Sequence, residues 1–339
     1  MLITPKEYKA HFHRYYIIGC AIRNSNTFDF IVDRFYSDEE VEQEEAENRD
    51  PALRDKRIVS FLRHEEPGKQ WSHIDMLRWE YLYCSTAKYP SEYFLGSDLE
   101  GQVYFLDRNS SVKEDNIPLF LGENGPDRGG IYKLKNIGGH LYFCGGARSI
   151  GKRLGRNKWF SHTHNIPYDI DSMKIGHAGF NDIDGFNEND MYAVGGYGDV
   201  WHFDGNIWSQ IVFPTNQPIQ TVCCGHDGLV YISCYEGLTF VGRNNSWTKI
   251  FNGGISLGFR DMVWFEDRVW CTSDYGIWTI HNNKLQEQAL PSEVRSCSGY
   301  LQANDNILLV AGMGGAAFLE NNKWQPILLP FELSKEIDN

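Results

Sequence analysis

Histidine and aspartate recur in this chain at a spacing that suits metal ligation. His11 with His13, His162 with His164, Asp169 with Asp171 and Asp182 with Asp184 are each two positions apart. On a strand, residues two apart share a face, so each pair offers two donors in one direction. A catalytic zinc centre takes three such ligands and keeps one position open, and pairs converging from different elements would build a hydrolase or lyase centre. The alternative for the same pairs is turn residues and solvated side chains, and no metal is assigned to them. Cys223 and Cys224 are adjacent, without a second thiol pair at zinc-ligand spacing, and the context IQTVCC points to buried thiols in an inner strand. The chain has no Gly-x-Ser-x-Gly elbow, and the glycine-rich, basic GGARSIG at 145–151 lacks the Gly-Lys-Ser/Thr ending of a phosphate loop. No catalytic residue and no cofactor is therefore assigned.

Charge speaks for a different kind of activity. The 339 residues carry 32 Lys and Arg against 45 Asp and Glu, a formal net charge of −13. Such a surface disfavours nucleic-acid phosphate and anionic membranes, and it steers a basic protein partner inward at low salt. The acid is densest in SDEEVEQEEAENRDPALRDKR at 37–57. Helix propensity there is high up to Pro51, so the segment reads as a short exposed helix: a solvated loop, or a docking arm with Glu39, Glu40, Glu44 and Glu45 as its contacts. Eight cysteines are present, and Cys144, Cys234 and Cys271 fall in or beside apolar runs where a small buried residue is wanted. The N-terminal stretch has no basic start followed by a long apolar run, and no apolar run approaches the ~20 residues of a membrane span. These features lead us to expect a soluble, reduced, cytoplasmic protein.

The elements that must position these residues are set by a repeat. MYAVGGYGDVWHFDGNIWSQI (191–211), VYISCYEGLTFVGRNNSWTKI (230–250), VWCTSDYGIWTIHNNKLQEQA (269–289) and LLVAGMGGAAFLENNKWQPIL (308–328) align so that Gly198, Gly237, Gly276 and Gly315 are each 39 residues apart. A fixed period of about 40 residues with several short apolar runs is the pattern of propeller blades. In the first copy, four strands are expected near 180–183, 191–194, 200–203 and 207–211, with turns at the glycines and at Asp204-Gly205-Asn206. A Trp-x-x-Ile marker closes the fourth strand at Trp71/Ile74, Trp208/Ile211, Trp247/Ile250 and Trp324/Ile327. Its two residues face opposite sides, as expected of a blade covered on both faces. Fourth strands are placed near 71, 119, 159, 208, 247, 285 and 324, which makes seven blades, or six if residues 1–75 are an appendage or share a blade with the C-terminal segment. The whole chain, 1–339, is read as a single propeller domain with the acidic 37–57 inserted in its first blade.

The phrase MYAVGG…VWHFDGNIW at 191–208 resembles a shortened kelch repeat: an apolar run, a glycine pair, an aromatic pair, then tryptophan. It is also similar to the short bacterial propeller repeats of the photosystem-assembly-factor type. The period is shorter than a kelch repeat, and glycine pairs persist only at 145–146, 195–196 and 314–315. The resemblance implies a propeller that binds proteins or other ligands. Ser273-Asp274-Tyr275-Gly276-Ile277-Trp278 looks like a sialidase box only superficially, its spacing being wrong, and Arg148, Arg260 and Arg295 fall in different strand registers.

Turns between second and third strands carry Asp98 and Glu100, Arg148, Tyr197, Glu236, Tyr275 and Met313, which by the repeat alignment project from one rim. Tyr197 and Tyr275 sit beside glycines in the turn itself, where packing gives them no reason to be aromatic; tyrosine is a common interface anchor. The expected function is protein binding without chemistry, most concretely an immunity or antitoxin protein that masks a basic toxin domain. An assembly or adaptor scaffold and a metal-dependent hydrolase or lyase using the channel are the rivals.

Overall fold

Tight turns at glycine and asparagine break the chain into short strands. Gly198 sits at φ +74°, and the pairs Asn282-Asn283 and Asn321-Asn322 take left-handed φ at both positions, the geometry that lets a two-residue turn follow the twist of its flanking strands. The computed structural model describes residues 1–121, 125–168, 179–256, 258–304 and 306–337.

Seven four-stranded antiparallel sheets result, each built from four consecutive strands. The first is β1 (Tyr15–Asn24), β2 (Thr27–Arg34), β3 (Arg54–Leu62) and β4 (Trp71–Trp79), and the second β5 (Leu82–Ala87), β6 (Tyr93–Asp98), β7 (Val103–Leu106) and β8 (Ser111–Glu114). The third is β9 (Ile131–Ile137), β10 (His140–Gly145), β11 (Ser149–Gly155) and β12 (Lys158–Ser161), and the fourth β13 (Asp182–Asn187), β14 (Asp190–Gly195), β15 (Asp199–Phe203) and β16 (Trp208–Ile211). The fifth is β17 (Ile219–Cys224), β18 (Val230–Cys234), β19 (Thr239–Arg243) and β20 (Ser246–Phe251), and the sixth β21 (Asp261–Phe265), β22 (Arg268–Ser273), β23 (Gly276–His281) and β24 (Lys284–Glu287). The seventh is β25 (Tyr300–Ala303), β26 (Ile307–Gly312), β27 (Gly315–Glu320) and β28 (Lys323–Leu328). The fold is a seven-bladed β-propeller.

One expected strand is misplaced. The fourth strand of the second blade is the polar SVKE of β8, not the apolar run near 119. Asp107 accepts from the amides of Asn109 and Ser110 at 2.7 and 2.6 Å, so the chain turns back at once after β7. Leu119 instead lies in the linker to the next blade, bridged to Asp127.

The chain divides into two compact units. Met1–Leu82, Asp274–Gly276 and Ala289–Asn339 form one, which holds the first and seventh blades with helices α1 (Pro5–His11), α2 (Asp38–Ala46), α3 (Ser292–Arg295) and α4 (Pro330–Ile337). Its core joins Phe28, Phe61 and Trp71 of the first blade to Leu309 and Phe318 of the seventh, with Phe12 and Leu333 from the helical ends. The rings of Phe28 and Phe318 lie 5.4 Å apart. Arg63 closes the junction, donating to Glu320 at 2.6 Å with its guanidinium over both rings. The Leu2 amide also donates to the Ile327 carbonyl of β28 at 2.8 Å.

Tyr83–Ser273 and Ile277–Gln288 form the other unit, which holds the middle blades. A separate apolar layer fills each space between neighbours there, and aromatic residues of the third strands, Trp201 and Phe240 among them, are buried in these layers. Between the second and third blades the layer includes a buried bidentate pair: Arg153 donates to Glu114 at 2.6 and 2.8 Å while lying over Tyr93 and Phe105. Linkers between blades press on the glycine-rich turns. A Cβ on Gly145 would stand 1.9 Å from the Gly130 carbonyl oxygen, and one on Gly195 would stand 2.1 Å from that of Gly179. The glycine pairs visible in the sequence thus mark places where two backbones touch.

Candidate functional site

The acidic segment forms α2, between β2 and β3 of the first blade. Ser37 caps it, accepting from the Glu40 amide while the Glu40 carboxylate accepts from the Ser37 amide at 2.9 Å. No residue of α2 is buried, so apolar packing does not hold it down. Ion pairs do. Glu40 sits between Arg14 and Arg34, the latter 2.7 Å away, and Glu44 meets Arg78 at 3.1 Å. The Ser37 amide, followed by Arg14 and Arg34, holds the Glu40 carboxyl below the usual glutamate range. The guanidinium groups of Arg34 and Arg54 both lie over Tyr36, 4.9 and 5.2 Å from its ring centre. A polar cleft of about 170 Å³ lies here, lined by Arg34, Tyr36, Glu40, Glu44, Asp55 and Arg78 among others. The helix therefore has two acidic faces: Glu40 and Glu44 are spent on the protein's own arginines, and Asp38, Glu39, Glu42 and Glu45 point to solvent.

The remaining candidates lie in turns between second and third strands. Asp98 is buried and turned onto its own turn, accepting from the Gln102 amide and side chain at 2.9 and 2.7 Å. Burial pushes its carboxyl up and Gln102 pulls it part of the way back. Arg148 is half-buried and chelates Asp199 at 2.6 and 3.2 Å, its guanidinium over Trp201. Glu100 and Glu236 are exposed, Glu236 at φ +56°. Tyr197 is 53% exposed; Tyr275 and Met313, in the other unit, are 76% and 62% exposed.

The channel side of the middle blades holds a cluster that the sequence alone did not reveal. First strands β9, β13, β17 and β21 are neighbours in turn. Lys133 on β9 pairs with Asp261 on β21, three blades away, and Lys135 lies 3.8 Å from Asp184 on β13. Asp182 accepts from the Thr221 hydroxyl at 2.6 Å and the Val222 amide at 3.1 Å, and Asp184 from the Cys224 amide at 2.9 Å. Burial works against the charged form of Lys133, but Asp261 and Asp182 outweigh it and hold the ammonium above the usual lysine range; Asp184 and Asp182 do the same for Lys135. Asp182 and Asp184 do share a face, and what they meet on it is lysine and β17. The one signal for this was Lys-x-Lys in IYKLKNI, two cations on one face of a first strand.

The two histidine pairs separate. His11 meets His73, and His162 receives the Trp208 indole N–H on its carbonyl at 2.8 Å. His13 and His164 are exposed, and Asp169 and Asp171 lie outside the described residues. Cys223 and Cys224 are buried free thiols, pushed well above the usual range by burial and then by Asp184. Among the described residues, no group of three or more His, Cys, Asp and Glu is placed to hold a metal ion.

No protein-family model matches the chain. It is similar to the immune protein Tsi7 of Pseudomonas aeruginosa, 27% identical over 257 residues, which span 75% of this chain and 81% of that protein. Among solved structures, the WD40 β-propeller domain of Doa1 superposes with a TM-score of 0.56 at 12% identity, covering 88% of this chain and 90% of that one. A virginiamycin B lyase from Staphylococcus aureus gives a TM-score of 0.50 at 12% identity over 71% of this chain and 83% of its own. At such identities the structural likenesses speak for the fold alone.

Proposed function

We propose that this propeller is an immunity protein that binds a toxin domain and masks it, without chemistry of its own. The observation that carries the reading is the similarity to an immune protein along three quarters of the chain. A propeller suits the role, because its turns present side chains from a rigid frame and leave little ordering to be done on binding. The net charge of −13 and the outward carboxylates Asp38, Glu39, Glu42 and Glu45 favour a basic partner. Eight free thiols suit an encounter in a reducing compartment, and we place it in the cytoplasm.

Co-expression tests this. Open reading frames flanking the gene are induced one by one in a susceptible host, with and without this chain, and growth is scored. Rescue from one toxic product, with a stable complex of the two on gel filtration, supports the reading. Rescue from none of the toxic products sinks it, and a stable complex with a harmless neighbour points to an adaptor instead. With the toxin in hand, raising salt should slow association markedly while dissociation changes less.

A further inference from the structure

Tyr197 and Tyr235 stand in the β14–β15 and β18–β19 turns of adjacent blades, and one linker ties them together. Tyr197 and Pro218 form an antiparallel bridge. The Ile219 amide donates to the Gly196 carbonyl at 3.1 Å, and the Tyr235 amide donates to the Pro218 carbonyl at 2.8 Å. Gly198 approaches the same linker so closely that a Cβ would stand 2.2 Å from the Thr215 carbonyl oxygen. On the far side, the Ile255 amide donates to the Glu236 carbonyl at 3.1 Å. Two turns and a linker are thus pinned into one backbone-bonded strip.

Apolar side chains are exposed along it. Tyr197 is 53% exposed, Tyr235 49% and Val212, where the linker begins, 84%. Turns at the opposite ends of these blades are built differently, from Asp204-Gly205-Asn206 and Arg243-Asn244-Asn245. Exposed tyrosines on pre-ordered backbone are the usual makings of a binding hot spot, since little freedom is lost when a partner covers them. Segments 196–198, 212–218, 235–237 and 253–256 contain a single charged side chain, Glu236. A partner that complements the strip therefore has an apolar contact with a cation at its edge.

We infer that this strip, Tyr197, Val212, Pro218, Tyr235 and Glu236, is the docking surface for the toxin domain, and that it takes an apolar patch flanked by lysine or arginine. The inference rests on the immunity reading and adds to it the place and chemistry of contact. On this view the apolar part of the strip sets how long the complex lasts, and Glu236 together with α2 sets how fast it forms.

The probe is the toxin domain that the wild-type chain neutralises in co-expression, presented to the full-length chain. Tyr197→Ala and Tyr235→Ala should each speed dissociation on the order of thirtyfold, and together they should abolish rescue. Val212→Asp, at an open position that no core depends on, should weaken binding comparably, and Glu236→Lys should slow association about tenfold. Ile207→Ala, at the opposite end of the fourth blade, serves as the control and should bind as wild type. Matching thermal melts exclude unfolding as the cause. Wild-type affinity and rescue in all four strip variants would overturn the docking surface while leaving the immunity reading intact. A wild-type chain that neutralises no toxin would overturn both.

Discussion

His11 of α1 and His73 of β4 face each other, Nδ1 to Nδ1, at 2.8 Å. Two imidazoles can hold that contact only if one Nδ1 carries the proton and the other accepts it; doubly protonated, they present N–H to N–H. Burial lowers both pKa values, with His73 and Arg57 adding to the effect on His11, and Arg57 to that on His73. An unfolded histidine titrates near 6.5, so below that value the unfolded chain takes up protons that the folded chain refuses. The stability this pair contributes is complete above about pH 6.5 and is lost as pH falls through the lowered folded values. Urea melts between pH 7.5 and 5.5 should show that loss. His73→Gln should flatten part of it, leaving the share of His162, which burial also lowers. A wild-type stability that stays level across this range would refute the account.

A second prediction concerns the channel. Replacing Lys133 with Met leaves Asp261 and Asp182 without the ammonium that faces them. Removing one partner of a buried pair costs on the order of 3–5 kcal/mol, and the side chains of Lys133 and Asp261, 22% and 11% exposed, put the expected loss at the lower end. Lys133→Met with Asp261→Leu should recover much of it, because the Asp261 carboxylate is no longer stranded and Asp182 keeps its bonds from Thr221 and Val222. Equal losses in the single and double variants would show that the ion pair is not the cause.

How much the sequence disclosed depends on how far each feature reaches along the chain. The 39-residue register and the turn glycines are local requirements, so the blades and the turn placement of Tyr197 could be read directly. Strand β8 could not, since SVKE has no apolar signature and the Leu119 run offered a better one. Lys133 finds its carboxylate 128 residues away and His11 finds His73 62 residues away. A repeat period gives the order of strands along the chain, and nothing about which residues meet across an axis or at a junction of helix and sheet. The pairing of His11 with His13 came from strand geometry, whereas His11 is the last residue of a helix.

Glycine contacts between linker and blade give a third prediction. Gly195→Ala must displace the Gly179 carbonyl, 2.1 Å from the new Cβ, and overpacking of this kind costs about 1–3 kcal/mol. Gly228, at φ +81° with nothing within 4 Å of a Cβ, isolates the conformational part, near 1 kcal/mol. Chemical denaturation of both variants separates the two. If Gly195→Ala costs no more than Gly228→Ala, close backbone approach is not what requires glycine there.

The fourth prediction arises from α2 having charge contacts and a cap but no buried residue. Raising salt from 50 mM to 1 M shortens the Debye length to about 3 Å, and amide exchange through residues 41–47 should quicken while that of β2 stays slow. Glu40→Gln should produce the same change at low salt. Exchange in α2 that remains as slow as in β2 at 1 M salt would show that something other than its ion pairs holds the helix.

The arrangement of the first and seventh blades has a consequence for biosynthesis. Because each sheet uses only consecutive strands, a blade can form as soon as its own residues leave the ribosome. The apolar face of the first blade is the exception: Phe28 is covered by Phe318, which is made 290 residues later. At 5–20 residues per second, that face waits roughly 15–60 s for its cover. During translation the nascent chain thus carries one long-lived sticky surface, and the demand on chaperones falls on the first blade made.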